Sequence, residues 1–98
     1  MANQTQPQPA SNRLLNVMIR NREKVIYEGT ATAVTSINDK GIFDILPEHI
    51  NFISMIKEVL KIQKPDKIIQ EYKIRTGIIR VNNNNVEVYV GLTPQVST

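Results

Sequence analysis

The sequence predicts an all-β fold, a two-layer β-sandwich of about eight to ten short, mostly antiparallel strands. Three observations carry this. Short apolar runs rich in Val, Ile and Tyr alternate with polar residues, as strands with one buried face require. Turn-forming residues interrupt them roughly every 8 to 12 positions, the rhythm of a sandwich or barrel. Residues 41–49, Gly-Ile-Phe-Asp-Ile-Leu-Pro-Glu-His, pack a glycine turn, an alternating apolar run and a proline-histidine corner into nine positions. That punctuation specifies a bend in β-structure.

Residues 1–12 are rich in Gln, Asn and Pro, with no large apolar residue after Met1. They cannot offset their own ordering entropy and read as a disordered tail. Residues 13–92 form the domain, and 93–98, with Pro94 and small polar residues, read as a frayed end. Within the domain, Leu15, Val17 and Ile19 alternate with Asn16, Met18 and Arg20, a half-buried strand. Asn21 and Arg22 can turn the chain into a second run at 24–28, and Gly29 permits a bend or bulge. Residues 30–37 are dense in β-branched side chains and alanine and read as one strand. Asn38, Asp39, Lys40 and Gly41 form a turn with glycine where left-handed backbone is needed. The following strand, 42–46, ends at Pro47, which has no amide hydrogen for a ladder.

Residues 50–62 are ambiguous. Ile53, Ile56, Val59 and Leu60 sit at helical spacing, yet alternation fits as well, and periodicity alone leaves both open. Lys64-Pro65-Asp66-Lys67 is a turn. Residues 68–75 alternate, with Tyr72 and Ile74 opposite Glu71, Lys73 and Arg75; Gly77 punctuates and 78–81 resumes. Four asparagines, 82–85, then separate two apolar runs, and Asn83 and Asn84 read as a tight left-handed hairpin tip before Val86, Val88 and Val90.

Composition excludes several function classes. The chain has 98 residues with 41% hydrophobic content, enough for one modest core. It has no cysteine and a single histidine, His49, so thiolate and His-cluster metal sites are excluded. Twelve basic and nine acidic residues give a net charge of +3, scattered along the chain, with five aromatic residues in all. That is a poor footprint for nucleic acid. No apolar run approaches the ~20 residues a spanning helix needs, so membrane association is expected to run through a protein partner without direct lipid insertion.

No catalytic constellation emerges. The glycines at 29, 41, 77 and 91 are isolated, so no phosphate-cradling loop is formed. His49 with Glu48 or Asp44 could make an acid-base unit, but a histidine after a proline corner more often bonds local backbone or meets a partner. No catalytic residue, cofactor or metal is therefore expected.

Three runs resemble the ε subunit of F-type ATP synthases. Residues 23–29, Glu-Lys-Val-Ile-Tyr-Glu-Gly, are similar to that family's Glu-Lys-Val-Val-Tyr-Glu-Gly, with ungapped spacing to Gly41. Gly41-x-Phe43-x-Ile45-Leu46-Pro47-x-His49 matches its Gly-Glu-Phe-Gly-Ile-Leu-Pro-Gly-His, and residues 76–86 resemble its Ser-Gly-Gly hairpin. The similarity covers residues 14–92 and implies a β-sandwich of about ten strands. It also implies that 52–62 is two strands with a turn near Lys57 and Glu58. The family's glycines at Asp44 and Glu48 are replaced, one of its paired glycines remains at Gly77, and its Lys-Pro-Gly is Lys57-Glu58-Val59 here. Its C-terminal helical hairpin, with that hairpin's inhibitory role, is not expected.

By resemblance the chain is a rotor subunit on the cytoplasmic face of the membrane, peripheral to it and non-catalytic. The implied γ-subunit contact is Pro47, His49 and Ile50. The implied contact with the polar loops of the c-ring is Asn38, Asp39, Lys40, Gly41 and Ile42; on residues alone that turn reads as solvated, and only the resemblance raises the interface reading to equal weight. Structural turns are assigned to Gly29, Gly41, Gly77, Asn83 and Asn84. The alternative is a free-standing sandwich or oligonucleotide-binding barrel, using Lys61, Lys64, Lys67, Lys73 and Arg75 as a basic face.

Overall fold

Strict alternation forms the first strand: Leu15, Val17 and Ile19 are buried while Asn16 is exposed. The computed structural model describes residues 13–91, so the expectations for 1–12, Leu92 and 93–98 lie outside the described residues. Seven strands follow in order: β1 (Leu15–Arg20), β2 (Val25–Ala31), β3 (Ala33–Asn38), β4 (Gly41–Ile45), β5 (Phe52–Gln63), β6 (Ile69–Asn82) and β7 (Asn85–Val90). They pair as one sheet in the order β2-β1-β7-β6-β5-β3-β4. Every pairing is antiparallel except β1 with β7.

This order requires the sheet to fold over itself. β2 and β3 lie five places apart, about 24 Å in a flat sheet, yet Thr32 alone joins them across roughly 7 Å. The long β5–β6 hairpin makes the crossing. Its open half, near Phe52 and Val81, continues through β7, β1 and β2. Its closed half, near Gln63 and Ile69, continues through β3 and β4. Inward side chains from both layers meet in one core containing Leu15, Val34, Ile45, Leu60, Ile79 and Val88, all fully buried.

Three expectations change here. Residues 52–63 run unbroken, and a bulge replaces the turn at Lys57 and Glu58. The register slips between them, and Glu58 takes a left-handed φ of 72° without reversing the chain. A bulge bends and twists a strand, which carries the hairpin from one layer to the other. Ser36, the buried polar residue opposite this irregularity, donates its hydroxyl to the Val59 carbonyl at 2.7 Å. Residues 30–37 are two strands, broken at Thr32, whose amide and hydroxyl both donate to the Gln63 carbonyl. No glycine or proline marks that corner.

Gly29 and Gly77 lie inside β2 and β6 and are not turn residues. A Cβ on Gly77 would stand 2.7 Å from the Tyr89 carbonyl oxygen, so this position needs the close approach that only glycine allows. Gly41 is a turn residue, with φ of 120°. Asn83 and Asn84 both hold left-handed φ, 52° and 67°, as a two-residue hairpin loop requires.

Candidate partner-binding surface

The segment between β4 and β5 crosses the end of the sandwich as an exposed corner. The His49 amide donates to the Leu46 carbonyl at 3.0 Å, and Glu48 has φ of 71°. Pro47 and Glu48 thus occupy the two central positions of a type II turn, whose second position normally takes glycine. A non-glycine residue held there costs on the order of 1–2 kcal/mol. The asparagine hairpin tip offsets this. Asn84 Oδ1 accepts from the Glu48 amide at 2.7 Å, and Asn84 Nδ2 donates to Glu48 Oε2 at 3.1 Å. Arg13 also pairs with the Glu48 carboxylate.

This corner presents Leu46 and Ile50 to solvent, the latter 76% exposed. Pro47 and Leu46 border a groove of about 400 Å³, shared with Pro65 and Lys67. His49 is half-buried; its Nδ1 lies 2.8 Å from the Ile50 carbonyl, and its ring meets Phe52 edge-on at 5.5 Å. Phe52 in turn meets Phe43 edge-on at 5.6 Å. The predicted trio Pro47, His49 and Ile50 is therefore brought together on one arch, backed by an aromatic stack. The Glu48 carboxylate faces Asn84 and Arg13, and Asp44 accepts from the Thr35 hydroxyl at 2.6 Å. Neither is directed at the imidazole as an acid-base partner.

The second predicted surface lies at the other end of the β3–β4 hairpin. Asn38 pairs with Gly41, and its side chain caps the Lys40 amide at 2.9 Å. Asn38 Nδ2 also donates to Ser54 at 3.2 Å, anchoring the turn to β5. Ile42 is 76% exposed. Asp39 lies 3.8 Å from Lys57 but is fully solvated, so this pair contributes little. From this turn to Ile45, where the arch begins, is about 13 Å along β4.

Sequence reasoning missed a third feature. Met55, Ile78 and Tyr89 are paired in register across β5, β6 and β7, on the face opposite the core, and all are exposed. Ile53 extends the row. Together these side chains form a contiguous apolar strip on the outer face of the sheet. The excess of apolar residues in 50–62 was its signal. The basic face of the alternative reading is interrupted: Lys61 pairs across the strands with Glu71. Tyr72 turns inward, accepting from Gln70 Nε2 at 2.8 Å. Burial, and then the neighbouring Tyr27, push its phenol above the ordinary pKa. Its ring packs against the core rather than standing out as a stacking platform.

Comparisons with known proteins agree on one family. Residues 14–91 match the family model described as ATP synthase, Delta/Epsilon chain, beta-sandwich domain. The ATP synthase epsilon chain of Sulfurimonas denitrificans is 36% identical over 67 residues, covering 67% of this chain and 52% of that protein. The ATP synthase epsilon chain of Nitratiruptor sp. is 30% identical over 86 residues, covering 86% and 67%. The chain thus spans only 52% and 67% of the length of these two relatives. A chain in the Euglena gracilis mitochondrial ATP synthase OSCP/F1/c-ring structure superposes with a TM-score of 0.75 at 16% identity, over 91% of this chain and 56% of that one. One in the Tetrahymena thermophila mitochondrial ATP synthase central stalk/c-ring structure gives 0.65 at 17% identity, over 78% and 62%. These structural likenesses extend the agreement to the fold.

Proposed function

The chain belongs to the delta/epsilon β-sandwich family of ATP synthase, and from that premise we propose that it is a non-catalytic subunit of the motor's central stalk. It couples rotation of the membrane ring to the catalytic head by holding two partners at fixed separation. The Pro47–His49–Ile50 arch meets the γ subunit; the turn of Asn38, Asp39, Lys40, Gly41 and Ile42 meets the polar loops of the c-ring. The chain thereby sits peripherally at the cytoplasmic face of the membrane. Among the described residues, no helix is long and apolar enough to cross a bilayer.

The observation that carries this reading is the placement of two exposed surfaces at opposite ends of one hairpin in a single-core body. Torque passes through packed surface, because interiors at crystal-like density deform little. A reaction would need convergent polar groups in a pocket. A hollow of about 530 Å³ exists on the outer face of β1, β2, β6 and β7, lined by Asn16, Glu28, Arg80 and Glu87.

Calorimetric titration with the γ subunit of the same motor tests the assignment. Replacing Pro47 and His49 together by alanine is expected to weaken association at least about tenfold, the loss of one well-packed anchor. Unchanged affinity would remove these residues from the interface.

A further inference from the structure

We propose that Asn84 is a positioning residue for the partner-binding arch: its side chain clamps the Pro47–Glu48 turn and allows a glutamate to hold a backbone conformation otherwise suited to glycine. This rests on the reading of the arch as the γ-facing surface.

The geometry is specific. Asn84 contacts Glu48 twice, through its amide oxygen to the backbone N–H and through its amide nitrogen to the carboxylate. It is itself held, because its carbonyl accepts from the Asn16 amide of β1 at 2.8 Å. The next turn residue supplies a second tie, with the Asn83 amide donating to Asn51 Oδ1 at 3.2 Å. The arch is therefore fastened to one hairpin tip at both Glu48 and Asn51, and the two residues between them are His49 and Ile50. Fastening the arch before a partner arrives removes part of the ordering cost of association. The four consecutive asparagines are thus more than a turn: two supply left-handed backbone, and one also supplies a side chain that a glycine hairpin would lack.

Replacing Asn84 by glycine preserves its left-handed backbone and removes only the clamp. Amide exchange at Glu48 and His49, read by NMR, and affinity for the γ subunit of the same motor are the two readouts. In Asn84→Gly, exchange at these amides is expected to quicken about tenfold and affinity to fall roughly five- to tenfold, the scale of one or two lost hydrogen bonds. Glu48→Gly in the same background is expected to restore most of the affinity, since glycine holds this turn unaided. Asn83→Gly is expected to leave both readouts within about twofold, because its backbone tie survives.

Unchanged exchange in Asn84→Gly would overturn the clamp. Quickened exchange with unchanged affinity would overturn its role in binding, as would multiplicative losses in the Asn84/Glu48 double variant. Failure of the interface reading is distinct. Pro47 and His49 would then tolerate alanine without loss of affinity, while exchange at Glu48 would still respond to Asn84.

Discussion

Leu60→Ala is expected to destabilise the isolated domain by about 3 kcal/mol, lowering its melting temperature by roughly 12–24 °C. Leu60 is fully buried and faces Tyr72 and Ser36 on its two neighbouring strands. It lies beside the bulge, where the β5–β6 hairpin passes between layers. Truncation there loses the transfer free energy of the side chain and leaves a cavity that a crossing strand, pinned by Ser36 to Val59, cannot collapse into. Domains of this size have only about 5–10 kcal/mol in all, so the loss is a large fraction. Ile53→Ala supplies the comparison within the same strand. Ile53 is 67% exposed, and its truncation is expected to change stability by no more than about 0.5 kcal/mol. Thermal unfolding of both variants separates core from surface on a single strand. Equal losses would contradict the inward assignment of Leu60.

Gly77→Ala is expected to cost about 1–3 kcal/mol although it adds a single methyl group to a strand. The added carbon would stand 2.7 Å from the Tyr89 carbonyl oxygen, 3.4 Å from Val90 Cα and 3.5 Å from Ile56. The nearest obstacle is backbone, and that carbonyl cannot swing aside as the end of a flexible side chain can. Relief requires β6 and β7 to separate, which weakens the Gly77–Val90 pairing and disturbs Ile56 in the core. Unfolding of an otherwise comparable glycine replacement would normally gain about 0.4–1 kcal/mol from reduced unfolded-state freedom. A denaturant midpoint equal to or above that of the parent would therefore refute the close approach.

The all-β class and the first and last strands in the chain were legible because their alternation is regular. Leu15, Val17 and Ile19 in β1, and Val86 and Val88 in β7, need only one buried face to be read. The left-handed pair Asn83 and Asn84 was legible from composition, since asparagine enters that region at little cost. Residues 52–63 resisted for two physical reasons. Exposed Ile53 and Met55 mimic a second buried face, and the bulge at Glu58 changes the spacing between buried Ile56 and Leu60. Together they imitate helical periodicity. The corner at Thr32 carries no glycine or proline, because hydrogen bonds to Gln63 hold the bend instead.

The arch itself was half legible. Pro47 announced a strand end, and the structure places His49 and Ile50 beside it as one surface. What one dimension concealed is that Glu48 is tied to Asn84, 36 residues away. A glycine missing from a type II turn is a detectable signal, but its compensating partner emerges only when the two loops meet in space. The same holds for Met55, Ile78 and Tyr89, which become a patch only through strand register.

In the assembled motor the two ends of the β3–β4 hairpin are expected to touch different neighbours. Photo-cross-linking side chains placed at Ile50 and at Lys40 in the assembled motor test this. The Ile50 probe is expected to capture the γ subunit and the Lys40 probe the c-ring; capture of the same subunit by both probes, or of neither by either, would contradict it.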